Sequence, residues 1–243
     1  MRIIKDLIDS VAGDHRVRDV RACCYWTAVS SRGCGLASTF ITPCPHHQKP
    51  MVKNCGKLTE LSAKALAEYS LSDHLLEATL GMAALNSLIE VDVSQCSQDN
   101  AFRAIAHHSE GKKVVVVGNF PFTAKLAPLA ADLVILQKPK GECPLPGEDE
   151  KRALREAEVA VITGTSLINH SLEVLLECIN PKALKIMVGP TTPLSPVLFD
   201  HGFDYLSGIK VADEALMMRS ISEGATFKEI QGVMLLTMKK NGK

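Results

Sequence analysis

Three turns in this chain begin with glycine and continue with hydroxyl or amide side chains. They read Gly118-Asn119-Phe120-Pro121, Gly164-Thr165-Ser166 and Gly189-Pro190-Thr191-Thr192-Pro193, and each follows an apolar run. Glycine at a strand end lets a ligand approach the backbone. Hydroxyls beside the free amides of a helix N-terminus suit an anion or a polar ring. Taken singly, each turn is also explained by helix capping, because Ser, Thr and Asn are the standard N-caps. Three such turns on one sheet edge predict a shared cleft, with Thr165, Ser166 and Asn169 as its leading ligand contacts.

Metal chemistry has a separate set of candidates. Cys44, His46 and His47 lie in the run C-P-H-H, with Cys55 downstream. Thiolate and imidazole suit a borderline-soft transition metal, although the spacing matches no closed structural site. A loop with adjacent histidines is equally explained by exposure. His107-His108 is a second pair. Cys23-Cys24 is expected within a strand, where the two side chains point to opposite faces and share no metal. The 8 cysteines include no C-x-x-C, which excludes the zinc-ribbon and thioredoxin signals.

Acid–base candidates are fewer. His170 follows Asn169 and is placed to serve Thr165 or Ser166 as a base, or to sit in a surface turn. Asp213 and Glu214 follow a strand and offer carboxylates. No G-x-S-x-G occurs. After Val117 the chain reads G-N-F-P-F rather than G-x-G-x-x-G, and nothing matches G-x-x-x-x-G-K-[ST]. There is thus no NAD or ATP signature. S-adenosylmethionine, whose glycine signature is looser, stays open.

The elements that must position these residues fall into two halves. The first begins with an amphipathic helix over 2–12. Strands over 21–29 and 34–41 follow, joined by the turn Ser30-Ser31-Arg32-Gly33, then a proline-rich loop over 42–57. Helices are predicted over 58–69, with Thr59 near the start, and over 72–90, where Ser70 and Asp73 have capping-box spacing. Leu76, Leu80, Ala84 and Leu88 form an apolar stripe with Asn86 beside it. That amide is either a core group bonded to backbone or a group facing a cleft.

The second half alternates. The run KKVVVVGNFPF is too uniformly apolar for a one-sided strand and fits a parallel sheet covered on both faces. Further strands are predicted over 133–137, 159–164, 184–189 and 205–211, with helical segments between them. Such alternation implies right-handed crossovers and a doubly wound sheet, whose ligands bind beyond the strands' carboxyl ends. The break between the halves falls near residues 92–112, where VSQCSQDN reads as a linker and AFRAIAHHS as one further helix.

Composition narrows the function classes. At 243 residues with 46% hydrophobic content, the chain makes one large domain or two small ones. Net charge is +0, which argues against nucleic acid as the partner. No apolar run approaches the roughly 18–20 residues of a membrane span. The start, MRIIKDLIDSVAGDH, is broken by charges and is no signal peptide, so a cytoplasmic location is expected.

Several blocks together resemble the heavy-metal chelation domain family, a domain of unknown function. They are GCGLAST, LSDHLLEATLGMAALNSLIE, VVVVGNFPF, VITGTSLINHSLEVLL and VGPTTPLSPVLFDHGFDYLSG, and they span about residues 10–225. The resemblance implies an α/β chain in two parts. An α+β domain over 1–95 would be similar to the N-terminal domain of enolase. A Rossmann-like, doubly wound parallel sheet would occupy 96–243, with a cleft between the two. It also implies a role in making or handling chelators such as siderophore, pterin or flavin-like compounds. The matching blocks contain Gly35, Asn86, Gly118, Asn119, Pro121, Gly164, Thr165, Ser166, Asn169, Gly189, Pro190, Thr191 and Thr192. No enolase activity follows, because that chemistry needs a barrel for which this chain has no room. Three functions are then in play: condensation, hydrolysis or group transfer on a heterocyclic chelator; binding of a metal or metal chelate without chemistry; and methyl transfer from S-adenosylmethionine. A homodimer is the default assembly.

Overall fold

The structure is a computed structural model. It describes residues 1–41, 52–98, 101–137 and 146–240. Cys44, His46 and His47 lie outside the described residues.

The chain opens with α1 (Arg2–Asp9), whose Ile3, Ile4, Leu7 and Ile8 face the core at helical spacing. Three short antiparallel strands follow, β1 (Asp19–Ala22), β2 (Trp26–Ser30) and β3 (Cys34–Ser38), in the order β1-β2-β3. The strand expected over 21–29 is therefore two strands. Cys23 and Cys24 sit in the reversal between them, not within a strand, and the backbone amide of Cys23 donates to the Trp26 carbonyl at 2.8 Å.

The helix expected over 58–69 is broken. It consists of a 3-10 turn over Leu58–Glu60, then α2 (Ala63–Ala67), then a second 3-10 turn over Glu68–Leu71. The Ser62 hydroxyl caps α2 by accepting from the Ala65 amide. Helix α3 (Leu75–Leu88) carries the expected stripe but differs in two ways. Its cap is the His74 ring rather than the Ser70–Asp73 pair, because the Ser70 hydroxyl is already bonded to the Ala67 carbonyl. It is also buried on nearly all sides, since β2 and β3 cover one face while α2 and its following turn cover another. The interior helix of a layered core has no solvent face to keep polar.

The rest of the chain builds a 7-stranded sheet in the order β4-β10-β9-β8-β7-β5-β6. Its parallel centre is β6 (Asp132–Leu136), β5 (Lys113–Val117), β7 (Val159–Thr163), β8 (Leu184–Val188) and β9 (Tyr205–Val211). Helices α4 (Ala101–Ser109), α5 (Thr123–Leu126), α6 (Glu148–Glu156), α7 (Leu172–Cys178), α8 (Val197–Asp200) and α9 (Glu214–Ser222) alternate with these strands. The valine run is buried on both faces, as a doubly covered sheet requires. Val115 joins the core shared with α1 and α3, whereas Val114 and Val116 join a second cluster with Ile105 of α4.

Two strands at one edge run antiparallel to this parallel centre. Strand β10 (Val233–Lys239) runs antiparallel to β9, and the two-residue β4 (Cys96–Ser97) runs antiparallel to β10. The helix expected in AFRAIAHHS is α4, whereas the stretch VSQCSQDN, expected as a linker, holds β4. Among the described residues no helix is long and apolar enough to cross a membrane.

Candidate functional site

The three glycine turns do stand at the carboxyl ends of adjacent parallel strands. Gly118 follows β5, Gly164 follows β7, and Gly189 follows β8. Gly189 has φ +116, a region closed to most side chains, and an added Cβ would meet nothing within 4 Å. Its amide donates to the Ser207 carbonyl at 3.0 Å, so the sheet pairing runs up to the turn before the chain turns away. At Gly164 the reason for glycine differs. A Cβ there would stand 2.7 Å from the Thr192 amide, so its absence lets the turns after β7 and β8 pack together.

The hydroxyls at these ends are engaged with one another. The Thr163 hydroxyl caps the 3-10 turn over Gly164–Leu167 by accepting from the Thr165 amide at 3.3 Å, and it shares a 2.9 Å bond with the Thr165 hydroxyl. Ser166 is buried, and its hydroxyl donates to the Thr163 carbonyl at 2.7 Å. The Asn169 carboxamide oxygen accepts from the Ser171 hydroxyl at 2.7 Å. The Thr191 hydroxyl accepts from the Ser38 amide at 3.0 Å and so ties β3 of the small sheet to the end of β8.

Above this edge lies a cavity of about 1450 Å³. Its floor is the strand ends: Gly118, Asn119, Pro121, Gly164, Thr165, Ser166, Asn169, Gly189, Pro190 and Thr191 all line it. Its walls are aromatic. On one side the Phe120 and Phe122 rings stack with centroids 4.9 Å apart, and Phe102 lies 6.0 Å from Phe122. Lys125 stands over the Phe102 ring at 5.9 Å. On the other side Trp26 and Phe227 are 6.2 Å apart, and the Trp26 indole donates to the Ala225 carbonyl at 2.9 Å. Tyr25, Phe227 and Leu235, three of the large apolar side chains left exposed on the surface, are also in the lining. Aromatic faces with a few convergent polar groups are the usual makeup of a small-molecule site.

Other nominated residues are elsewhere. Gly35 faces α3, where a Cβ would collide with the Ala83 carbonyl and the Ser87 amide. The Asn86 amide donates to the carbonyls of Leu36 at 3.0 Å and Thr191 at 3.1 Å, which makes it a staple between the two sheets rather than a cavity group. Thr192 is buried, and its hydroxyl has no partner among the described residues. His170, at φ +56, has its ring 2.8 Å from the Ser70 carbonyl. Asp213 caps α9 by accepting from the Leu216 amide, and Glu214 pairs with Arg18 at 3.1 Å. None of these lines the cavity. His108 bonds the Tyr205 hydroxyl at 3.0 Å; burial, followed by the neighbouring His107, pushes its pKa below the usual histidine range.

The donor set tests whether a bare metal fits. Among the described residues no group of three or more His, Cys, Asp or Glu is placed to hold an ion. The described cavity lining contains no cysteine or histidine, and its one carboxylate, Glu150, accepts from the Gly147 amide at 2.9 Å in the cap of α6. The described part of the lining therefore offers a soft cation no thiolate or imidazole donor. The cavity groups that sequence reasoning missed include Trp26, Phe40, Phe102, Phe227, Ser207 and Thr237. The lone tryptophan was the one local signal among them.

Comparisons with known proteins agree with this architecture. A protein of unknown function from the DUF364 family of Desulfitobacterium hafniense DCB-2 superposes with a TM-score of 0.81 and 29% identity, over 98% of both chains. A second one, from Pyrococcus horikoshii, has a TM-score of 0.76 at 19% identity, again over 98% of both, and shares the fold. An uncharacterised protein of Methanocaldococcus jannaschii is 27% identical over 164 residues; the match spans 63% of this chain and 63% of that relative's length. Two family models match in succession, DUF4213 over residues 4–89 and DUF364 over residues 100–240, both described as "Putative heavy-metal chelation". With more than half of its length matched by the second model, the chain belongs to the DUF364 family.

Proposed function

We propose that the protein binds a small aromatic or heterocyclic metal chelator, of siderophore, pterin or flavin-like size, in the cavity over the ends of β5, β7 and β8. The observation that carries this reading is the lining itself. Hydroxyls and glycine backbone form the floor and aromatic rings form the walls, while thiolate and imidazole are lacking from the described part. Such a surface suits an organic ligand that brings its own metal donors. The chelation theme of the family is then met by holding the chelate rather than the bare ion.

Binding is favoured over turnover on that ligand. A condensing or hydrolysing site needs a titratable group aimed at the ligand. His170, Asp213 and Glu214 are each held by other partners, away from the cavity. Of the titratable groups in the described lining, Lys125 stands over the Phe102 ring and Glu150 is engaged in the cap of α6, and Tyr25 and Lys228 are the others. The division into parts over 1–95 and 96–243 suits the same reading, because the cavity draws its walls from both sides of that boundary.

Calorimetric titration tests this, with emission of Trp26, the only tryptophan, as second readout. Pterin-6-carboxylate or the ferric complex of 2,3-dihydroxybenzoate is expected to bind and to change the emission. Zinc or nickel ions alone are expected to leave both signals flat. Absence of any response to either ring compound overturns the reading.

A further inference from the structure

Ser207 on β9 and Thr237 on β10 face each other in register, and their hydroxyls are 2.9 Å apart. Both are buried, at 5% and 7% exposure, and both line the cavity. On the same face the sheet runs from Ser207 through Val188 to Thr163, whose hydroxyl is bonded to Thr165, and is apolar below that row at Ile186, Val161 and Val159. A hydroxyl carries one donor and two acceptor positions. When one of the pair donates to the other, the accepting hydroxyl keeps its own proton, and lone pairs remain on both. A hydrogen-bonded pair placed on a cavity wall thus retains capacity that an apolar pair lacks.

We propose that the Ser207–Thr237 pair is an inner polar subsite that takes an uncharged hydrogen-bonding group of the ligand: a carbonyl, amide or phenol. The inference rests on reading the cavity as a small-molecule site. The group is uncharged because the charges in the lining lie on other elements: Lys125 on α5, Glu150 on α6, and Lys228 beside Phe227. Lys239, two residues beyond Thr237, lies over the Tyr205 ring at 5.8 Å and does not line the cavity. An ion set against two hydroxyls without a counter-ion is strongly disfavoured. The ligand therefore directs its neutral end inward to β9 and β10, and any acidic group outward to the lysines.

The test compares two probes on three proteins. 2-Naphthamide offers a ring and a neutral amide; 8-anilinonaphthalene-1-sulfonate offers rings and an anion. The proteins are wild type, the double variant Ser207→Ala with Thr237→Val, and Thr237→Ser. Removing both hydroxyls at once leaves no orphaned partner, so the double variant keeps its fold, with near-ultraviolet circular dichroism as the check. The double variant is expected to bind the amide roughly tenfold more weakly than wild type and the dye equally well. Thr237→Ser, which keeps both hydroxyls, is expected to match wild type. Equal amide affinity in wild type and double variant overturns the subsite. Wild-type binding of the dye but not of the amide also overturns it, and leaves the cavity reading standing. Folded wild type that binds neither probe overturns the cavity reading itself.

Discussion

Two contact regions of this molecule are built on glycine, and they use it for opposite ends. At the junction of β3 with α3, Gly35 removes a side chain so that two backbones can touch. At the rim of the large sheet, Gly189 removes one so that the backbone faces empty space. Both positions lie in blocks that the family resemblance singled out. The first is filled by the protein itself, and the second is open to the cavity. Glycine in a shared block therefore marks close approach in general, and only the packing around it tells whether the approaching group is the chain or a ligand.

The largest effect that sharpens this contrast is expected for Gly35→Ala. The new methyl group would meet α3 backbone, which cannot swing aside as a flexible side chain does, so the change is expected to cost about 3 kcal/mol or more. Urea denaturation measures it. Gly189→Ala meets no atom and is expected to cost only the strain of its positive φ, about 1–2 kcal/mol, while narrowing the cavity floor. Equal losses at the two positions would erase the distinction.

Asn86→Ala comes next. It leaves the carbonyls of Leu36 and Thr191 unpaired in the interior and is expected to lower stability by about 2 kcal/mol in the same denaturation experiment. A neutral outcome would mean that the junction does not depend on this staple.

Glu77, buried at the start of α3, gives the junction a pH dependence. Burial is the strongest single influence and opposes ionisation. The Ser72 hydroxyl, the Lys53 amide and the Lys53 and His74 charges together outweigh it and hold the carboxyl below its ordinary 4.5. A depressed carboxylate stabilises the fold above the unfolded value and loses that contribution as pH falls through the folded one. Stability is thus expected to drop on acidification below about pH 4.5, and Glu77→Gln to flatten that part of the profile. An unchanged profile would remove Glu77 from the junction's account.

The smallest effect belongs to the rim. Thr165→Val breaks the bond to the Thr163 hydroxyl and is expected to shift stability by only about 0.5–1 kcal/mol. Its consequence is expected in ligand titration instead, as weaker binding of the ring compounds. A large loss of stability with unaltered binding would reassign this hydroxyl to capping alone.

Much of the second half was legible in the sequence. The valine run and the alternation of strands with helices specified the parallel centre, and the glycine turns fell at strand ends as expected. These are local signals, since a doubly covered strand must be apolar throughout and a tight exit from it favours glycine. The first half was less legible because its elements are short. The turn at Cys23–Cys24 interrupts a run of good strand formers, and the segment over 58–71 breaks into three pieces, neither of which a periodicity shows. Strand β10 went unassigned; its partner β9 is brought beside it by the fold rather than by any neighbouring turn signal.

By itself, then, the sequence determined the parallel centre of the large sheet and the placement of three glycine turns at its strand ends. Which side chains share the cavity was decided only in three dimensions. Trp26 meets Phe227 across some two hundred positions, and Ser207 meets Thr237 across β9 and β10. His170 turns to Ser70 and not to its near neighbour Thr165. The physical reason is range. Turn chemistry and side-chain period act over a few residues, whereas a binding site is assembled from long-range packing that leaves no local pattern in the chain.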